Sequence, residues 1–223
     1  MNKKWSIIII IVTLITGIVI GCQKRSATKE EVYQDFQKKI ATMSSYTCKA
    51  EVEAIGNKSE HKYEYIHTYN KPNYYKLEVI SPQHLKGKTM EYKDDKIIVK
   101  NPAINDTIEL PNAGENKQYL FMGDFIENYL QNEDLNIKSN NSSLILEVGI
   151  PGGSEYFNKQ VLYINLKTKE PEKMEILNNE GNPKFIVTYN EFEWKKSAFV
   201  QIILVIVQMF ILWNVIMNQL KIN

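Results

Sequence analysis

From Tyr46 to Trp194 the apolar residues recur at every second position, in about ten short runs separated by turn signals. A period of two places successive side chains on opposite faces of a strand, so this stretch is committed to β-structure. "YTCKAEVEAI" sets Tyr46, Cys48, Ala50, Val52 and Ala54 on one face and Lys49, Glu51 and Glu53 on the other. "HKYEYIHTY" aligns Tyr63, Tyr65, His67 and Tyr69, and "YYKLEVI" aligns Tyr75, Leu77 and Val79. Gly56-Asn57 and Lys71-Pro72-Asn73 punctuate these runs, and "KTMEYKDDKIIVKNP" reads as a hairpin turning at Asp94-Asp95. "DTIEL", Asn136 to Lys138, "SLILEVGI", "QVLYINL", "EKMEIL" and "KFIVTYNEFEW" continue the series past Gly152-Gly153, Lys169-Glu170-Pro171 and Asn178 to Pro183. The order is a meander rather than a βαβ pattern.

Two segments carry the helical period instead. In "TKEEVYQDFQKKIATM", Thr28 and Glu31 have the spacing of a capping box, and Val32, Phe36, Ile40 and Met43 form one stripe. "KQYLFMGDFIENYL" places Tyr119, Met122, Ile126 and Tyr129 on one face, joined by Phe125 and Leu130. The expected class is therefore α+β: a long antiparallel sheet with about ten strands, covered on one face by two helices. A sheet of that length with so little cover curls into a half-barrel with an apolar interior, which makes a groove rather than a catalytic cleft. Thirteen tyrosines and 43% apolar residues suit one folded domain, expected over residues 28–196.

The two ends are of another character. Lys3 and Lys4 precede an apolar core from Ile7 to Ile20, about fourteen residues and short for a bilayer of roughly 30 Å. It stops at Val19-Ile20-Gly21-Cys22, which has the residue types of a bacterial lipoprotein lipobox. Residues 1–21 then read as a signal peptide, Cys22 as the lipid-attachment site, and residues 22–27 as a short tether. At the other end, residues 197–220 form a hydrophobic segment. Its twenty residues 198–217 contain thirteen Ile, Leu, Val or Phe, worth roughly −4 to −8 kcal/mol for insertion before Gln201, Gln208 and Asn214 are counted. Length fits a transmembrane helix, whereas Lys195 and Lys196 on the outer side run against the positive-inside tendency. The other readings are a final buried strand plus a helix packed on the sheet, or an extension with no selected role.

Little in the sequence points to catalysis. There is no HExxH, no G-x-S-x-G elbow and no phosphate-binding loop. His61 and His67 share strand parity but lie roughly 20 Å apart along an extended strand, too far to bind one ion. His84 has no nearby partner in sequence, and no metal or cofactor site is expected. Asp94-Asp95 is a turn, Pro151-Gly152-Gly153 a loop, and Cys48 a buried thiol. Of 27 basic residues, loss of Lys3 and Lys4 leaves 25 against 26 acidic ones, which offers no footprint for nucleic acid. The tyrosine face, Tyr63, Tyr65 and Tyr69 with Tyr75 and Leu77 beside it, is either a ligand groove, a partner surface or simple packing.

A lipobox, a capped helix and a meander containing "YNKPNYYKLEVISP" and "GKTMEYKDDKIIVKNP" resemble the LolA-like lipoprotein-carrier superfamily. Within it the chain is most similar to the GerS family of germination lipoproteins, over roughly Met1 to Trp194. The resemblance implies a curved half-barrel sheet and a non-enzymatic accessory in spore germination. Its implied partner is a cortex peptidoglycan amidase of the CwlD type, with any zinc belonging to the amidase. It implies a place at the cell membrane outside the cytoplasm, in a spore-former the spore envelope, held through lipid on Cys22. The wider superfamily implies an alternative, a carrier binding a lipid or lipoprotein acyl chain. A homodimer is compatible with either.

Overall fold

The computed structural model describes residues 27–56, 60–93, 96–111, 119–132, 135–198, 206 and 209–211. The lipobox with Cys22, the Asp94-Asp95 turn and most of the C-terminal segment lie outside the described residues. Helix α1 spans Lys29–Thr42. Its capping box is formed as expected: the Thr28 amide donates to Glu31 Oε2 at 3.0 Å and the Glu31 amide to Thr28 Oγ1 at 3.2 Å. The stripe Val32, Phe36, Ile40 and Met43 is buried.

Among the described residues eleven strands follow, against about ten expected: β1 (Met43–Ile55), β2 (Glu60–Asn70), β3 (Tyr74–Ser81), β4 (Thr89–Lys93), β5 (Lys96–Asn101), β6 (Asp106–Pro111), β7 (Asn136–Ser139), β8 (Ser143–Gly149), β9 (Lys159–Asn165), β10 (Pro171–Leu177) and β11 (Pro183–Lys196). Helix α2 (Met122–Gln131) interrupts them between β6 and β7. It is shorter than its sequence pattern: Tyr119 stands before it in a turn, and Leu130 is 65% exposed rather than part of the buried face.

All strands join one antiparallel sheet in the order β6-β5-β4-β3-β2-β1-β11-β10-β9-β8-β7. Two meanders, β1 to β6 and β7 to β11, meet where the first strand pairs with the last. The edges β6 and β7 do not pair with each other, so the sheet is open. It must also curve. Phe121 reaches Tyr92 on β4, with ring centroids 6.0 Å apart, while Asp124, one turn on, accepts from Gln160 on β9. In a flat sheet β4 and β9 would stand six strand spacings apart, about 29 Å. A single helical turn bridges them only if the sheet wraps around it. The fold is thus the expected α+β arrangement, a curved unclosed sheet around two helices.

The inner face is the core: Tyr46, Cys48, Ala50 and Val52 on β1 align with buried residues of β8 to β11 such as Leu146, Leu162, Met174 and Val187. Charged residues occupy the outer face, where Lys49–Glu64, Lys62–Glu53 and Lys173–Glu175 pair.

Candidate functional site

The inner face of β1 to β6 is built from two cross-strand rows. Register aligns Cys48, His67, Leu77, Met90, Val99 and Ile108 in one, and Tyr46, Tyr69, Tyr75, Tyr92, Ile97 and Leu110 in the other. Alternation in each strand sets these residues on a common face, and hairpin register then brings them level. Cover decides what each row does. Near β1 and β2 the rows lie beneath α2 and Phe121, and Tyr46, His67, Tyr69 and Tyr75 are at most 4% exposed. Toward the edge the cover thins: Met90, Val99 and Tyr92 are half-buried, Ile97 on β5 is still 7% exposed, and Ile108 and Leu110 on β6 are 50% and 48% exposed. The same face therefore changes along its length from core to an uncovered apolar shelf.

Of the three readings of the tyrosine face, packing is the one that burial gives to most of it. Tyr69, Tyr75 and Leu77 are core residues, and only Tyr63 and Tyr65 remain half-buried, on β2, with rings 6.0 Å apart and Tyr65 next to His67. Tyr69 and Tyr75 are closed over by Gly123, where a Cβ would stand 2.8 Å from both rings. Tyr75 hydroxyl donates to Glu127 Oε1 at 2.8 Å, and burial holds the Glu127 carboxyl above its ordinary pKa. Tyr46 hydroxyl accepts from the Gly123 amide at 3.3 Å. These bonds fix α2 on the sheet. On its other side α2 is fixed by a buried network that the sequence reading missed. Asn128 Nδ2 donates to Asp124 Oδ2 and Gln160 Oε1 at 3.1 and 2.8 Å, and Gln160 Nε2 donates to Asp124 Oδ2 and the Tyr119 carbonyl at 2.9 and 3.0 Å. Its one sequence signal was two polar residues four apart within an apolar helix face.

The histidines come nowhere near one another's chemistry. His67 is fully buried against Phe121, with ring centroids 5.1 Å apart, and burial pushes its pKa down to about 3. His84 is exposed in the short 3-10 turn Gln83–Leu85. His61 lines a cavity of about 260 Å³ at the end of the sheet, with Ala54, Ile55, Phe157 and Phe185. Among the described residues no group of three His, Cys, Asp or Glu could hold a metal ion. Cys48 is a buried free thiol whose pKa burial raises. The arrangement offers apolar surface along its shelf.

A family model described as "Sporulation protein YdcC-like" matches residues 2–202. The chain is 62% identical to a chain in the structure of the CwlD amidase from Clostridioides difficile in complex with the GerS lipoprotein. That match covers 78% of the present chain and 99% of the other, with a TM-score of 0.49. An uncharacterized conserved protein from Thermus thermophilus matches at 15% identity, 77% and 90% coverage and a TM-score of 0.45. A LolA superfamily protein from Nitrosomonas europaea matches at 14% identity, 74% and 94% coverage and a TM-score of 0.40. No curated protein matches the chain.

Proposed function

The chain belongs to the YdcC-like family of sporulation proteins, and from that premise we propose that it is a non-enzymatic lipoprotein, tethered outside the cytoplasm through Cys22, that supports germination as the accessory partner of a cortex peptidoglycan amidase. The observation that carries this reading is the 62% identity, over 99% of its length, to a chain of the CwlD–GerS complex. We take that chain to be the lipoprotein, because the present sequence opens with a lipobox and its described residues hold no metal-binding group. The shelf of Met90, Val99, Ile108 and Leu110 is the surface we assign to the partner. It is apolar, runs across β4 and β5 and ends on the edge strand β6, which is how interaction sites present themselves.

Co-purification tests the reading. The full chain is expected to recover a CwlD-type amidase from sporulating cells, and Ile108→Glu with Leu110→Glu to lower recovery at least tenfold without changing the circular dichroism spectrum. An amidase whose activity and zinc content are the same with and without this chain overturns it.

The carrier reading has one observation in its favour, the apolar end cavity of about 260 Å³. Against it, the half-barrel interior beneath α2 is filled by Tyr46, Phe121, Met122 and Phe125, each at most 1% exposed. Native mass spectrometry of freshly purified protein is therefore expected to show no bound acyl chain.

A further inference from the structure

The lysines that make no ion pair are not scattered evenly over this domain. Over most of the sheet they are neutralised: Lys49, Lys62, Lys76, Lys96, Lys100, Lys138, Lys159 and Lys173 each face a carboxylate within 4 Å. Lys38, Lys71, Lys167, Lys169, Lys195 and Lys196 make no such pair among the described residues, and all six stand at one end of the molecule. Lys86, Lys88 and Lys184 also make no such pair among the described residues but lie elsewhere, beside the 3-10 turn and at the start of β11. The contacts that gather the six are explicit. The Ser197 amide donates to the Thr42 carbonyl at 3.0 Å, joining the end of β11 to the end of α1. Lys71 Nζ donates to the Ile40 carbonyl at 2.8 Å and its amide to Ser44. Lys39 Nζ donates to the Lys169 carbonyl at 2.8 Å, drawing in the β9–β10 turn.

Few carboxylates there are left to oppose them. Asp35 and Glu170 are taken up by Lys39, and Glu172 by Ser143 and Asn165, which leaves Glu191 and Glu193 on β11. The chain leaves the domain at this same end, at Ser197, into the apolar segment 198–217, where Ile206, Met209, Phe210 and Ile211 are each more than half exposed.

A cluster of unpaired ammonium groups where the chain runs into an apolar stretch of sequence matches an anionic bilayer, whose headgroup phosphates the lysines would meet. We propose that this lysine-rich end is a membrane-docking surface that seats the domain on anionic lipid. The proposal rests on the tethered reading above and adds an orientation to it. Helix α1, fourteen residues and about 21 Å long, ends at this surface, while its start carries the tether. Residues 23–27 reach about 17 Å when extended, so lipid on Cys22 would hold α1 tilted along the membrane rather than upright.

The test uses the full chain carrying Cys22→Ala, so that no acyl group contributes, in vesicles of phosphatidylcholine alone or mixed with phosphatidylglycerol. Lysines are labelled with a membrane-impermeant amine reagent and read by mass spectrometry. In the anionic vesicles Lys167, Lys169, Lys195 and Lys196 are expected to label severalfold less than in detergent, with Lys86, Lys88 and Lys184 unchanged. Replacing the four by Gln should lower the partition ratio about tenfold on anionic vesicles only, an effect that 0.5 M salt reproduces in the parent chain. Flotation with both lipids but equal labelling of the two lysine groups overturns the docking surface alone. Failure to float with either lipid overturns membrane anchoring by the tail and the docking surface together.

Discussion

His67 stands in the inner face with neither ring nitrogen hydrogen-bonded, between Phe121 and Tyr65. A buried imidazole of this kind is held neutral, its pKa pushed down to about 3 by loss of solvent. The unfolded chain takes up the proton near pH 6.5, so the unfolded state binds more protons between those values. Stability is then complete above about pH 6.5 and falls as the pH drops below it, by roughly 1.4 kcal/mol per unit, or about 2 kcal/mol at pH 5. Urea unfolding at pH 7.5 and 5 measures this, and His67→Phe should remove that component while raising stability at pH 7.5, since it deletes two unpartnered polar atoms. Gly123 makes the opposite case. A Cβ there meets the Tyr69 and Tyr75 rings at 2.8 Å, so Gly123→Ala should cost about 1–3 kcal/mol by overpacking, read as a lower urea midpoint. The parity of His67 was legible in "HKYEYIHTY", but whether that face met solvent, ligand or helix was not, because its cover comes from residues more than fifty positions on.

Among the elements, α1 was the most legible, since its cap, stripe and length are all local properties. Thr28→Ala removes the acceptor of the Glu31 amide and should lower stability by about 1 kcal/mol. Helix α2 was legible in kind and misread in extent. Its period fitted a longer segment, yet Leu130 points to solvent and Tyr119 lies in the preceding turn, where its carbonyl accepts from Gln160. Gln160 sits on β9, far along the chain, and no helical period could reveal it. Gln160→Leu leaves the Asn128 amide short of a partner and the Tyr119 carbonyl bare, and should destabilise by about 2–3 kcal/mol. A Gln160→Glu variant would place a second carboxylate beside Asp124, and its urea midpoint should fall more at pH 8 than at pH 5.

At the scale of the whole molecule, β1 and β11 pair at the centre of the sheet, so both ends of the domain emerge beside α1. If each end anchors, single removal should not release the protein. Membrane fractionation is expected to find Cys22→Ala still bound, truncation after Lys196 still bound, and the combination soluble. The sequence by itself determined the alternation, the turns and the two amphipathic helices, and hence an antiparallel sheet with cover on one face. These are readable because they depend on neighbours two to four residues apart. Only the tertiary structure decided that one continuous apolar face is core at Tyr69 and Tyr75 but a shelf at Ile108 and Leu110, and that lysines from α1, the β2–β3 turn, the β9–β10 turn and β11 share one end. Period fixes which face a side chain joins. What stands over that face depends on where a curved sheet and two helices meet, and that is set by contacts between residues far apart in the chain.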